Sequence, residues 1–362
     1  MYDFVVVGAG PPGSRFARRA SEAGHDVLVL ERGEPGPPLA CSGHVSTDIW
    51  SFLPEDAPEE LRQNVIHGAR FHVGGPGSRA YKFHKREPVS NAVDRIDLDK
   101  RLADLAVEAG AELRTNHTVT DLSVEDDGVT VTVKRPDGSE TVCGRMVAGC
   151  DGPASRVRRS MGMDEPEETL HGVLGFSSED DHDDFVDVHL TVERFFAWRI
   201  PRGAAGVEYG LAIPPGSADA SALLDELTEG YGVELVERCS GLIPIGPPDR
   251  VTDDRVFLIG DAAAQTKPFT GGGILYGMRS ADHAVRTIDP TDPNTLGAYD
   301  RAWRDDLARE IWLGKLIRRA YSLPAPIQRV GLRLTSGEIG VHMDNPSSFF
   351  SRAHLRRWLT PG

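Results

Sequence analysis

With 362 residues, 40% of them apolar, the chain is long enough to bury the cores of about two domains at ~100 to 200 residues each. Its formal charge of −15, from 55 acidic against 40 basic side chains, makes nucleic acid a poor partner. No apolar run reaches the ~18 residues of a membrane span, and the chain enters its first strand too soon for a signal peptide, so the expected location is the cytoplasm.

Lysine occurs only at Lys82, Lys85, Lys100, Lys134, Lys267 and Lys315, so nearly all of the basic charge is arginine. Clusters such as Glu179-Asp-Asp-His-Asp-Asp184 and Glu125-Asp-Asp127 read as the hydrated carboxylate coat of a protein kept soluble at high salt, with an ordinary acidic protein as the alternative. Cys41, Cys143, Cys150 and Cys239 stand far apart, with no CxxC pair and no His/Cys cluster, so neither a disulfide nor a bound metal is expected.

The first element is a short apolar run, Phe4 to Val7, with the branching of a buried parallel strand, and Gly8-x-Gly10-x-x-Gly13 follows it directly. Gly8 suits the tight turn, Gly10 the approach of a pyrophosphate and Gly13 close packing of the next helix. Pro11 and Pro12 stand where that helix starts, a place where a missing N–H costs little. The helix runs through Arg15 to Ala23 and stops at Gly24, and a second strand, Asp26 to Leu30, closes with Glu31-Arg32. An acidic residue ~20 positions past the glycines is placed to accept ribose hydroxyls. Strand, helix, strand and Glu31 in register predict a Rossmann-like nucleotide fold.

Asp94 to Gly110 reads as a helix, Glu112 to Thr115, Thr118 to Val124 and Gly128 to Val133 as strands, and Met146 to Cys150 as a strand ending in Asp151-Gly152. From about Gly172 to Ile245 the pattern turns antiparallel, with strands at Val186 to Val192, Phe195 to Pro201 and Val207 to Ile213 and a helix near Ala222 to Tyr231. A strand at Val256 to Ile259 then leads into Gly260-Asp261 and Lys267-Pro268-x-Thr270-Gly271-Gly272-Gly273-Ile274. Two glycine motifs in this order and this far apart are expected to hold one FAD along the chain. Beyond Ala281 the pattern is helical, with Leu296, Tyr299, Trp303, Leu307, Ile311 and Leu316 on one face. The fold class is therefore α/β. Residues 1–72, 90–165 and 250–295 are assigned to the FAD-binding part, 73–89 and 166–249 to an inserted antiparallel-sheet substrate domain, and 296–362 to C-terminal helices.

The succession Gly8-x-Gly10-x-x-Gly13, Arg95-x-x-x-Asp99, Cys150-Asp151-Gly152-x-x-Ser155-x-Val157-Arg158 and Gly260-Asp261 resembles the FAD-dependent hydroxylases and reductases built like p-hydroxybenzoate hydroxylase. Within that class the chain is most similar to the geranylgeranyl reductase family. Three features carry the likeness: Pro38-Leu-Ala-Cys41-Ser42-Gly43-x-Val-Ser46, the string Phe196-x-Trp198-x-Ile200-Pro201, and Lys267-Pro268-x-Thr270-Gly271-Gly272-Gly273. With the acidic composition, the likeness points to a haloarchaeal source. Two departures stand in the aromatic string, which in the family begins with Tyr and ends Phe-Pro. The string also resembles the Trp-x-Trp-x-Ile-Pro of flavin halogenases.

The resemblance implies an FAD-dependent oxidoreductase that saturates C=C bonds of geranylgeranyl (polyprenyl) chains, of archaeal membrane lipids or of a prenylated quinone, by hydride transfer from reduced flavin N5 plus a proton. It implies FAD held by Gly8, Gly10, Pro12, Gly13, Glu31 and Arg32 at the nucleotide end, by Arg95 and Asp151 near the pyrophosphate, and by Gly260, Asp261, Lys267, Pro268, Gly271, Gly272, Gly273 and Ile274 around ribityl and ring. Cys41, Ser42 and Gly43 would pass the ring on the substrate side. The catalytic candidates are Cys41, as shield or proton donor, and Phe196 and Trp198, whose aromatic faces would steady positive charge in an apolar tunnel. His44 reads as a solvated loop histidine. Without a second GxGxxG, electrons would come from NAD(P)H visiting the flavin or from a reduced ferredoxin. A polyprenyl substrate implies at most peripheral membrane contact, through Arg318, Arg319 and the tail Arg352 to Leu359. The alternative is an FAD-dependent monooxygenase or halogenase of an aromatic or apolar small molecule. A halogenase needs a lysine between flavin and substrate, and only Lys82 and Lys85 lie in a suitable segment. An electron-transfer flavoprotein of the quinone-reducing kind is disfavoured, because its C-terminal cluster cysteines are missing after Cys239.

Overall fold

The computed structural model describes residues 1–37, 41–337 and 343–350. The β-branched runs Tyr2–Val7 and Val27–Leu30 pair in parallel, Phe4 opposite Val27 through Val7 opposite Leu30, and both are buried. The helix Pro11–Glu22 crosses between them and buries Phe16, Ala17 and Ala20 on the sheet. Gly13 is required for that approach, because a Cβ there would collide with the Gly8 carbonyl oxygen.

Strand order in the main sheet is Thr252–Asp253, Val256–Leu258, Gly138–Gly149, Tyr2–Val7, Val27–Leu30, Glu112–Arg114, and the strands Val129–Arg135 and Thr118–Val124 extend it from the long strand Gly138–Gly149. The helix Arg95–Glu108, whose N-terminus is capped by the Asp94 carboxylate accepting from Asp97 N–H, packs beside Pro11–Glu22. Phe4, Phe16 and Phe257 meet edge to face in this core, Phe4 and Phe16 at 5.1 Å.

A second sheet of seven strands runs in the order Glu237–Ile245, Glu168–Ser177, Val207–Ile213, Ala197–Pro201, Phe185–His189, Gly68–His72, Ala80–His84. It differs from the expected sheet in two respects. Gly68–His72, assigned above to the flavin part, pairs here, and it runs parallel to Phe185–His189. The run Val186 to Val192 stops being a strand at His189, so Phe195 and Phe196 precede the strand Ala197–Pro201. The helix Ala220–Tyr231 covers one face of this sheet, capped by Asp219 and ended by Gly232 in the left-handed region. A third, small sheet, His44–Ser46, Ser90–Val93 and Arg62–Ile66, joins the two larger ones and had no clear signal in the sequence.

The helices Ile274–Thr287, Leu296–Arg319 and Ala325–Thr335 close the chain. Leu296, Tyr299, Trp303, Leu307 and Ile311 are buried as expected, but Leu316 faces solvent. Five residues past Ile311 is about 140° round a helix, so the buried line continues through Leu313 and Gly314 instead. Among the described residues no helix is long and apolar enough to cross a membrane. The tail Arg352 to Leu359 and the first residues of the Pro38-to-Ser46 motif lie outside the described residues.

Candidate flavin and substrate site

A continuous cavity of about 1630 Å³ runs from the N-terminal nucleotide fold, past the triple-glycine loop, to an apolar chamber under the seven-stranded sheet. Its first part is walled by Gly8, Gly10, Pro12, Glu31 and Arg32. The Glu31 carboxylate accepts from the Ala9 N–H at 2.8 Å and the Gly33 N–H at 3.1 Å, which holds it at the strand end facing the cavity. Gly10 starts the helix Pro11–Glu22 without a side-chain cap, and a Cβ at Gly10 would meet nothing within 4 Å. This bare helix N-terminus opening on the cavity is a cradle for a phosphate. The residues present therefore fit a dinucleotide.

The loops beside it are braced from within. Asp151 caps the short helix Arg156–Ser160, accepting from Ser155 Oγ at 2.6 Å and from the N–H groups of Arg156 and Val157 at 2.6 and 3.1 Å. Buried Arg158 then donates to the Ala262 and Pro153 carbonyls at 2.9 and 3.0 Å. The Asp-Gly motif thus ties the first half of the nucleotide fold to the turn after Asp261. Asp261 itself lines the cavity, and burial pushes its carboxyl up to about 6, with Arg95 pulling the other way. A Cβ at Gly273 would collide with the Asp261 carboxylate, and one at Gly272 would sit 2.9 Å from Lys267 Cε. These glycines are needed by the protein's own packing as well as by any ring laid against them.

Lys267 is placed differently from the sequence expectation. Its ammonium reaches the cavity wall, but it donates to Asp344 Oδ1 at 2.6 Å in a pair that is almost fully buried. Tyr276 Oη donates to the Asp344 carbonyl at 2.8 Å, so residue 344 is held both by the loop of Lys267 and by the helix Ile274–Thr287 that follows it. Pro268 does not wall the cavity; it packs against Gly314 of the long C-terminal helix. Gly13, Gly43 and Gly260 likewise lie behind the wall and serve close backbone packing.

Cys41 and Ser42 also line the cavity. Arg95, expected to reach outward to a pyrophosphate, lines the cavity with its guanidinium clamped on Asp99 by bonds of 2.7, 3.0 and 3.2 Å. Burial opposes the Arg95 charge, and Asp99 with the Cys41 sulfur outweighs it, raising the guanidinium above the ordinary arginine value. His44 is not solvated. It lines the cavity, its Nε2 lies 2.7 Å from Ser90 Oγ, and burial together with Lys267 and Arg202 pushes it down to about 4, so it is neutral at pH 7.

The chamber is apolar. Phe71, Val186, Val188, Trp198 and Ile200 line it from neighbouring strands of the second sheet, Phe196 from just before the strand Ala197–Pro201, and Tyr321 from the C-terminal side. Phe196 meets Trp198 edge to face at 5.9 Å and Tyr321 at 5.8 Å. Behind this wall runs a buried polar chain. The Trp198 indole N–H donates to Glu208 Oε1 at 2.8 Å, and Glu208 Oε2 accepts from Arg202 at 3.0 Å. Arg202 also donates to the Ser42 and Val93 carbonyls at 2.5 and 2.8 Å. Neither Glu208 nor Arg202 was singled out in the sequence, nor were Asp344 and the cavity-lining Cys239. Only the charged pair at 202 and 208, on either side of the turn between two strands, offered a signal.

The fold and this cavity define an FAD-dependent oxidoreductase of the p-hydroxybenzoate hydroxylase type. The family described as FAD binding domain matches residues 1–215. Digeranylgeranylglycerophospholipid reductase 1 of Methanopyrus kandleri is 33% identical over 338 residues, covering 84% of this chain and 86% of the relative. A geranylgeranyl bacteriochlorophyll reductase-like protein of Thermoplasma acidophilum superposes with a TM-score of 0.82 at 21% identity, over 93% of this chain and 92% of the other. An anhydrotetracycline hydroxylase of Streptomyces rimosus superposes with a TM-score of 0.68 at 24% identity, over 92% and 72%. The chain belongs to the digeranylgeranylglycerophospholipid reductase family of FAD-binding proteins.

Proposed function

We propose that this flavoenzyme saturates the C=C bonds of geranylgeranyl chains carried by archaeal phospholipids. The observation that carries the reading is the aromatic and aliphatic chamber continuous with the nucleotide cradle in one cavity of about 1630 Å³. Bound FAD, once reduced, supplies the hydride, and NAD(P)H or a reduced ferredoxin supplies the electrons.

The remaining tasks fall to the protein. An isolated alkene has no carbonyl to take up charge, so carbon accepting a hydride passes through partial positive charge. Phe196 and Trp198 face that charge with their rings, worth about 0.5 to 2 kcal/mol. Glu208 holds the indole from behind and fixes its plane. The apolar walls keep out water that would trap a cation. Neutral His44 holds Ser90 and does not donate a proton at pH 7. That leaves Cys41, against Arg95, or a water beside it as proton source. Arg95, Glu31 and the bare helix N-terminus at Gly10 hold the nucleotide.

The halogenase reading loses ground on its lysine. Lys82 is exposed over the Phe185 ring, Lys85 stands off the cavity wall, and Lys267 is tied to Asp344. The test is anaerobic: the dithionite-reduced holoenzyme is given digeranylgeranylglyceryl phospholipid, and products are weighed by mass spectrometry. A gain of two mass units per double bond is expected. No gain, with oxygen-dependent NAD(P)H consumption on an aromatic compound instead, would move the assignment to the hydroxylases.

A further inference from the structure

We propose that the C-terminal helix Ala325–Thr335, with the end of the helix before it, docks this enzyme on an anionic lipid bilayer and presents the cavity mouth to the membrane. Resting on the lipid-reductase reading, the proposal adds the surface and the chemistry it meets.

The helix Ala325–Thr335 forms part of the wall of the apolar chamber. Its inner side, with Gln328 and Leu332, lines the cavity, and Gln328 Nε2 donates to the Tyr321 carbonyl at 2.8 Å. Just past its end, Gly337 N–H donates to the Lys82 carbonyl at 2.8 Å, so the helix bridges from Tyr321 to the edge of the second sheet. Its outer side is apolar where a surface helix is normally polar. Leu323, Ile327, Val330 and Leu334 follow one another at spacings of four, three and four and are all exposed, Leu323 and Ile327 where the helix meets the cavity and Val330 (59%) and Leu334 (74%) on the side away from it. Trp312, 58% exposed, and Leu316 add an apolar patch on the preceding helix. Contiguous apolar surface of this kind marks an interaction site.

Charge identifies what covers it. From Ile311 to Gly337 the sequence has five basic side chains and no acidic one, in a chain of formal charge −15. Lys315 and Arg318 are engaged by Glu167 and Glu168, so Arg318, expected at headgroups, is not free for them. Arg319, Arg329 and Arg333 are exposed and make no ion pair among the described residues. An apolar ridge flanked by unpaired arginines is the pattern of a helix lying in a membrane interface. Leu323 and Ile327, exposed and also on the cavity wall, put an opening of the cavity beside that ridge, which would give an apolar chain a path inward without crossing water.

The experiment is co-sedimentation of the FAD-loaded full chain with vesicles of phosphatidylcholine alone or with phosphatidylglycerol, at about 0.15 M salt. The wild type is expected to sediment with the anionic vesicles. Val330→Ser with Leu334→Ser should release it from both vesicle types. Arg319→Gln, Arg329→Gln and Arg333→Gln together should weaken anionic binding on the order of a hundredfold. None of these five side chains lines the cavity, so reduction of a detergent-dispersed prenyl lipid should be unchanged. Loss of that turnover with binding intact would count against the reductase reading alone. Wild type remaining in the supernatant, or a serine variant sedimenting like wild type, would overturn the docking surface. So would a dimer in light scattering that the serine variant converts to monomer, since a second copy would then cover the ridge. Should the serine variant lose its flavin colour, the glutamine variant decides.

Discussion

The indole N–H of Trp198 ends on the carboxylate of Glu208, a side chain with no exposed surface, and through Arg202 the same carboxylate reaches the Ser42 carbonyl beside Cys41. The aromatic wall of the chamber and the cysteine loop are therefore held by one buried charge pair. Glu208→Ala would strand Arg202 and leave the indole N–H unpaired, at a cost of about 3 to 5 kcal/mol. Glu208→Gln keeps an acceptor for the indole and should fold, retain FAD and lose about tenfold in turnover. Thermal melts and steady-state rates of the two variants check this. Wild-type turnover in Glu208→Gln would remove the wall's orientation from the account.

Cys41 lines the cavity next to Arg95. Cys41→Ala should leave FAD content and reduction by dithionite untouched and slow the lipid-dependent step by about a hundred- to ten-thousandfold, the range for removing one positioned proton donor. A full-rate Cys41→Ala enzyme would hand the proton to water.

Asp261 carries a raised carboxyl, about 6 in the folded chain against about 3.9 unfolded. A group whose folded value lies above its unfolded one stabilises fully below the unfolded value, and that contribution disappears as pH rises through 6. Asp261→Asn, never charged, should therefore stabilise the flavin-free protein at pH 7 to 8 by up to about 2 kcal/mol, with the gain gone near pH 4. In the same variant FAD should bind more weakly. Melting curves of deflavinated protein across pH give the first result and flavin release the second; a pH-independent difference would refute the assignment.

His44 has the opposite sign. Its folded value, about 4, lies below the unfolded 6.5, so its contribution is present above 6.5 and is lost as pH falls towards 4. His44→Gln should flatten that acid loss, worth about 1 to 2 kcal/mol for a half-buried ring. Urea titrations at pH 7.5 and 5 compare the two proteins.

The nucleotide fold was legible because everything that makes it is local. Gly8, Gly10 and Gly13 sit within one turn, and Glu31 follows one helix later. Loop partners drawn from distant segments were not legible. Lys267 lines the cavity as expected of a residue near the ring, but its partner Asp344, 77 residues on, gave no sign in the sequence. His44 reads as solvated until the pairing of His44–Ser46 with Ser90–Val93 brings Ser90 against it. Gly68–His72 was misplaced because its short run of mixed polarity says nothing about which of two sheets it joins. Alternation predicted that Phe196 and Trp198 share one side, and both line the cavity, although Phe196 stands just before the strand Ala197–Pro201.

The central claim is that one flavin, seated between the N-terminal glycine turn and the Gly271–Gly273 loop, passes its electrons to an apolar chain in the chamber. It is tested most directly by adding geranylgeranyl phospholipid to the reduced holoenzyme without oxygen and following the visible flavin absorbance. The account predicts that the yellow colour returns, with one double bond lost per flavin reoxidised. A flavin that stays bleached in the presence of the lipid, or a purified protein that takes up no FAD, would contradict it.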